Sequence, residues 1–260
     1  MKNAIRTLLT CLTLLSRIPV RFSFEPRYRG FLFTMPLVGF VAALPVLAIF
    51  LVSSLIPLPA FLAAGLSLFL SYAAFNLFHF DGLLDSADAF FLRAESEKRH
   101  RILKDSAIGS FALFAGVLYL FLKLSALTML FGSTLPIRSG AALLLFYPVA
   151  GRTAASLLPL TLKPARNEGL GRLMGQAQRF EGLAGLVLYA AAALVLWHYS
   201  VPGYLSAGGM LFLASVIAAW IWTGFLYRKI GGFTGDAFGL AVELGELFYL
   251  LGLALILAAQ

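Results

Sequence analysis

The chain has 260 residues, 60% of them hydrophobic and only 12% charged, with a net charge of +8 and a mean hydropathy of +0.90. Usage this apolar excludes an ordinary soluble domain, in which charged residues make up about a quarter of the chain. The single cysteine, Cys11, excludes an intramolecular disulfide.

The chain opens on a partly apolar segment, residues 4–20, that runs into Arg-rich sequence without a clear small-residue cleavage site. It reads as a helix on the membrane surface or capping the core, not as a removed leader. A helix that crosses the hydrocarbon needs about 20 apolar residues. Seven such stretches follow in order, at about 33–56, 59–79, 108–131, 139–159, 182–200, 204–226 and 239–259. No soluble domain, low-complexity linker or internal repeat interrupts them. The expected fold is all-α: a polytopic transmembrane helical bundle of about seven membrane helices, one integral membrane domain over residues 1–260.

The basic residues alternate along this plan. Six lie in residues 1–30 (Lys2, Arg6, Arg17, Arg21, Arg27 and Arg29), and further ones crowd 80–107, 160–180 and 228–236. The intervening connections near 57–58, 132–138 and 200–203 hold only Arg138. Alternate basic loops are the positive-inside signature, which places the N-terminus and the three long loops in the cytoplasm. The positive charge therefore sets topology, and no nucleic-acid partner is expected. The twelve acidic residues avoid the opposite side. A carrier would place carboxylates along a path across the bilayer; a cytoplasm-facing enzyme would place them as they are here.

The strongest chemical signal is His79-Phe80-Asp81-Gly82-Leu83-Leu84-Asp85-Ser86-Ala87-Asp88. On a helix, spacings of four and seven put Asp81, Asp85 and Asp88 within one arc. Leu83, Leu84, Ala87, Phe90 and Phe91 form an apolar opposite face. Three close carboxylates repel unless a cation sits among them, and hard oxygen ligands suit Mg²⁺, with Mn²⁺ as the alternative. His79 reads equally as a ligand, a base or a hydrogen-bonded structural residue.

Three further stretches carry chemistry. Lys104-Asp105-Ser106-Ala107-Ile108-Gly109 enters the third span, where Asp and Ser suit a helix start and Lys104 can meet a phosphate or simply solvate. Gly151-Arg152-Thr153 lies inside the fourth span, where a guanidinium needs a carboxylate or a phosphate partner. Lys123, the other base within a span, reads by default as a snorkelling side chain or a helix contact. Gly231-Gly232-Phe233-Thr234-Gly235-Asp236 leads into the last span, where Asp236, Glu243 and Glu246 recur at helical spacing. Glycines there permit close backbone approach to an anion at a helix start.

Taken together, these motifs resemble the cobalamin synthase family, the adenosylcobinamide-GDP ribazoletransferases. Leu15 to Val20 is similar to the family's T/S-R-x-P-V opening, and Phe78 to Asp88 to its F-H-x-D-G-L-x-D-x-x-D-G. Lys104 to Gly109 resembles K/R-D-S-x-x-G, Ala165 to Gly171 resembles A-R-x-E-G-L-G, and Gly231 to Glu246 resembles G-G-x-T-G-D-x-x-G-x-x-x-E-x-x-E. Ala89 stands where the acidic motif usually ends in Gly, and Pro164 where a Tyr is common. Neither change removes a charge.

The resemblance implies transfer of α-ribazole, or its 5′-phosphate, onto adenosylcobinamide-GDP with release of GMP, in the cytoplasmic (inner) membrane of a bacterium. The ribose 5′-oxygen is expected to attack the corrinoid-side phosphorus in line, without a covalent enzyme intermediate. It implies Mg²⁺ held by Asp81, Asp85 and Asp88, with Asp236, Glu243 and Glu246 as a second carboxylate set. Among the catalytic residues Asp81, Asp85 and Asp88, the base is assigned to Asp88. The substrate-binding set is His79, Lys104, Asp105, Ser106, Arg152, Arg166, Glu168, Gly232 and Gly235. The partners are those small molecules and the lipid bilayer, with association of the chain with itself left open.

Two rivals fit less well. CDP-alcohol phosphotransferases carry D-G-x-x-A-R-x8-G-x3-D-x3-D, and here Leu83-Leu84-Asp85-Ser86 follows Asp81-Gly82, so the Ala-Arg pair is missing. A transporter would require paired discontinuous helices in matching halves, which the chain does not show.

Overall fold

The structure is a computed structural model that describes residues 2–18, 25–105, 107–166, 172–173, 177–200 and 205–259. It is helical, and among the described residues the only strand-like pairing is an isolated bridge between Pro164 and Phe233. Helix α1 (Lys2–Leu15) is followed by α2 (Phe31–Ala42) and α3 (Leu44–Leu55), which form one span broken beside Pro45. Then come α4 (Ala60–Ser71), a π-helical turn (Tyr72–Asn76) and α5 (Leu77–Phe91). The short α6 (Ser96–Ile102) leads to α7 (Ser110–Phe131), α8 (Ile137–Ser156) and its continuation α9 (Leu158–Thr161). Helices α10 (Phe180–Ser200), α11 (Leu205–Arg228) and α12 (Gly235–Ala258) complete the bundle.

Among the described residues, seven helical spans are long and apolar enough to cross a membrane, and each falls within a few residues of its expected stretch except the second. That span runs for 32 residues, Ala60–Phe91. The acidic stretch thus continues the second membrane helix past the end of its apolar run. Leu83, Ala87 and Phe90 bury one face of the extension and keep it helical beyond the hydrocarbon.

Helix α8 is buried along nearly its whole length and forms the axis, with α2, α10, α11 and α12 around it. In lipid, helices gain by packing and not by escape from water, so close approach through small residues matters most. Gly39 on α2 lies against α8, where a Cβ would come within 2.7 Å of the Val149 Cα. Gly245 on α12 meets Gly151 on α8, where a Cβ would come within 2.7 Å of the facing Cα. Gly82 on α5 meets α12 at Asp236 and Gly239, with a Cβ 2.8 Å from the Asp236 carbonyl oxygen. Glycines at these three crossings bring α2, α8, α12 and α5 into backbone contact.

The N-terminal segment is the expected capping helix. It packs on α2 through Thr7, Thr10, Cys11 and Leu15. The Cys11 thiol donates to the Phe31 carbonyl at 3.7 Å. Burial, then the nearby Glu181 carboxylate, hold that thiol well above its ordinary range.

The long connections meet at one end of the bundle. Arg166 donates to the His100 carbonyl at 2.9 Å, and the His100 ring reaches the Ile230 carbonyl at 3.1 Å. Phe233 N–H donates to the Lys163 carbonyl and Ala165 N–H to the Phe233 carbonyl, both at 2.9 Å. The basic segments that alternate along the sequence thus form a single face.

Candidate active site

On that face, the α5–α12 crossing gathers part of the expected acidic set. Asp81 is exposed, while Asp85 and Asp236 are half-buried. Because Gly82 and Gly239 let the two backbones touch, carboxylates on either side of the crossing share one rim. Asp81, Asp236 and Asp88 are the acidic charges that bear on Asp85, and Arg166 bears on Asp236 from the 162–166 segment. Asp236 is oriented by Thr234, whose hydroxyl donates to it at 3.0 Å. Behind the rim, Ser86 pairs with the Tyr227 hydroxyl at 2.8 Å and donates to the Gly82 carbonyl at 2.6 Å.

Asp88 has another task. Its Oδ2 accepts from the Gly109 N–H at 2.6 Å and its Oδ1 from the Ala112 N–H at 2.9 Å. It therefore caps the start of α7 from a neighbouring helix, satisfying donors that the helix itself leaves open. Gly109 supplies the space, since a Cβ there would sit 2.6 Å from Oδ2. The expectation that Asp88 is the base is corrected on this ground: both oxygens already hold backbone donors. Asp88→Ala is expected to cost about 1–2 kcal/mol, read as a lowered midpoint in thermal unfolding of the purified protein. An unchanged midpoint would show that the cap contributes nothing.

Glu243 and Glu246 do not join the rim. Both are fully buried, roughly 12–17 Å along α12 from Gly235 at 1.5 Å per residue. Lys123 donates to Glu246 Oε2 at 2.6 Å and to Glu243 Oε2 at 3.3 Å. Arg152 donates to Glu246 Oε1 at 2.8 Å and to Asn76 Oδ1 at 3.0 Å. The Asn76 amide donates to Glu246 at 2.8 Å and to Glu243 at 3.2 Å. Tyr72 donates to Glu243 Oε2 at 2.8 Å, and Tyr119 donates to the same oxygen. The Lys123 ammonium also lies over the rings of Tyr72, Tyr119 and Tyr147, 5.1 to 5.8 Å from their centroids. Two cations and two anions sum to zero, the arrangement that makes buried charge tolerable in a bilayer. The expected metal roles of Glu243 and Glu246, and the phosphate role of Arg152, give way to this internal pairing.

Among the described residues, no group of three or more His, Cys, Asp or Glu side chains is placed to hold an ion by itself. The six carboxylates are therefore not one donor set. Mg²⁺ seldom uses an all-protein cage; one or two carboxylates, water and substrate phosphate oxygens are its usual ligands. One or two of the rim carboxylates Asp81, Asp85 and Asp236 would fit that pattern.

The remaining expected residues separate. His79 is buried, takes a hydrogen bond with the Leu15 backbone and leaves its Nε2 unpartnered beside Phe31 and Gly235. Lys104 and Asp105 are exposed in the α6–α7 connection, where Asp105 accepts from the Ala107 N–H at 3.0 Å. Gly232, at φ +155, lets the 229–234 turn lie against the backbone at Lys163. Gly235 begins α12. Ser106 and Glu168 lie outside the described residues. Sequence reasoning left out Asn76, Tyr72 and Tyr119; the one signal available was an amide in the middle of an apolar run.

A family model described as cobalamin-5-phosphate synthase matches residues 7–254. A protein of Fervidobacterium nodosum is 31% identical over 261 residues, covering 96% of this chain and 98% of its own length. One of Pseudomonas aeruginosa is 36% identical over 259 residues, covering 98% and 100%. One of Deinococcus radiodurans is 36% identical over 200 residues, covering 75% and 65%. All three are named adenosylcobinamide-GDP ribazoletransferase. No solved structure matches this one. With a matching family model along almost its entire length, and an acidic crossing of α5 and α12 built from the very motifs first noted in the sequence, the chain belongs to the cobalamin-5-phosphate synthase family.

Proposed function

We propose that the protein joins α-ribazole, or its 5′-phosphate, to adenosylcobinamide-GDP and releases GMP, and that it does so at the Asp81–Asp85–Asp236 rim on the cytoplasmic side of the inner membrane. The observation that carries the site is the glycine-mediated α5–α12 crossing, which brings carboxylates from two distant motifs together. The convergence of the basic connections on the same face supports the cytoplasmic orientation. Those cations also attract a pyrophosphate-bearing substrate.

One or two of Asp81, Asp85 and Asp236 would hold Mg²⁺, or Mn²⁺, together with phosphate oxygens of the substrate. When bound, such an ion would supply charge neutralisation for cleavage of the pyrophosphate. The chain's own groups do the rest. Since the 5′ position is occupied in α-ribazole 5′-phosphate, the attacking oxygen is a secondary ribose hydroxyl and not the 5′-oxygen first expected. Asp85, half-buried and with no hydrogen-bond partner among the described residues, accepts its proton. The new bond forms to the corrinoid-side phosphorus, the bridging P–O bond breaks, and the electron pair leaves with GMP. Arg166, held by His100, faces Asp236 and offers positive charge to the phosphates.

The test is turnover by the purified protein in lipid nanodiscs with adenosylcobinamide-GDP, α-ribazole and Mg²⁺. Cobalamin and GMP are expected in equal amounts, lost with EDTA and restored by excess Mg²⁺. No product from folded protein would overturn the reading; product that survives EDTA would overturn the metal.

A further inference from the structure

Away from the acidic rim, an open cavity of about 320 Å³ lies between the first half of α1, the start of α2 and the start of α10. Glu181 forms part of its wall and is 6% exposed. Its Oε1 accepts from the Gly30 N–H at 2.7 Å. Its Oε2 is buried without any hydrogen-bond partner, a state a carboxylate oxygen adopts at a cost unless a donor arrives. Arg27 and Arg29 line the same cavity, and among the described residues neither guanidinium has a hydrogen-bond or ion-pair partner. One waiting carboxylate and two waiting guanidinium groups specify a ligand with donors on one edge and acceptors on another.

The cavity is tied to the rim by α1. Asn3, Ala4 and Thr7 line the cavity, while Leu14 and Leu15 pack against His79 and Gly235, next to Asp236. From Thr7 to Leu15 the helix advances about 12 Å, comparable to the reach of a nucleoside diphosphate from base to phosphates.

We infer that this cavity is the guanine subsite, in which Glu181 accepts hydrogen bonds from the base N1–H and 2-amino groups while Arg27 and Arg29 face its O6 and N7. Guanine is the purine that offers adjacent N–H donors to a carboxylate and an O6/N7 acceptor pair to arginine. Adenine would turn its N1 lone pair against Glu181, and the benzimidazole of α-ribazole has no N–H to give. The assignment deepens the transferase reading and rests on it for the identity of the nucleotide.

The experiment is calorimetric titration of the nanodisc-held protein with GMP, IMP and AMP, alongside turnover. GMP is expected to bind at least tenfold tighter than IMP, which lacks the 2-amino group, and tighter still than AMP. Glu181→Gln is expected to erase the GMP-over-IMP preference and to raise the KM for adenosylcobinamide-GDP at least tenfold. Arg29→Met, at an exposed position that folding does not need, is expected to weaken GMP severalfold and decides the matter if Glu181→Gln fails to fold. Equal binding of GMP and IMP by an active wild-type protein overturns the subsite and leaves the transferase reading standing. GMP selectivity that depends on Glu181 in a protein without turnover upholds the subsite and overturns that reading.

Discussion

Glu246→Ala is expected to destabilise the protein by about 3–5 kcal/mol, the cost of stranding a buried charge by removing its partner. Glu246 accepts from Lys123, Arg152 and Asn76. Without it, two cations in the bundle face the single anion Glu243, and the interior carries a net positive charge with no water to screen it. The loss is measured as a shift of the unfolding midpoint in detergent titration or thermal unfolding of the reconstituted protein. A Lys123→Met, Glu246→Gln double variant is expected to lose less than the two single variants added together, because it removes charge and counter-charge at once. Strict additivity, or a Glu246→Ala protein as stable as the parent, would refute the account of the network as a closed neutral unit.

Asp85→Asn is expected to lower turnover by about 10²–10³-fold, the usual loss when a group placed for transition-state charge or proton transfer is removed. The fold is expected to persist: Asp85 sits half-buried at the rim and anchors no helix end. This contrasts with Asp88, three residues on, whose two oxygens hold the start of α7. The pair of variants therefore separates chemistry from architecture within one motif. Turnover and unfolding midpoint are measured on the same preparations. Full activity in Asp85→Asn would remove both the metal and the base assignment at this position.

Hydropathy alone disclosed the spans, because a bilayer imposes their length. It also disclosed which face collects the loops, through the alternation of Lys and Arg. What it could not disclose was pairing. Lys123, Arg152, Glu243 and Glu246 stand out as charges in apolar runs, yet nothing local says that they neutralise one another, and metal or phosphate is an equally reasonable partner for each. The π-helical turn at Tyr72–Asn76 was hidden for a related reason. Its under-wound backbone is stabilised by Tyr72 and Asn76 reaching glutamates about 170 residues away. Glycine was ambiguous in the same way. Gly232 looks like an anion-binding residue in sequence and Gly82, Gly151 and Gly239 carry no signal of their own, yet the structure uses all four where one backbone must touch another. The meaning of a residue without a side chain lies wholly in its neighbour.

The span of the buried network has a consequence for biogenesis. Lys123 and Arg152 precede Glu246 by 123 and 94 residues. At ribosomal speed the shorter interval alone lasts roughly 5–20 s. During that time the third and fourth spans have been made, and their cations have no glutamate to meet. Until the last helix is released, Lys123 and Arg152 are without the glutamates that neutralise them in the folded bundle. The neutral network therefore closes only with the final span, and a chain that stops before Gly235 keeps two cations without their counter-charges.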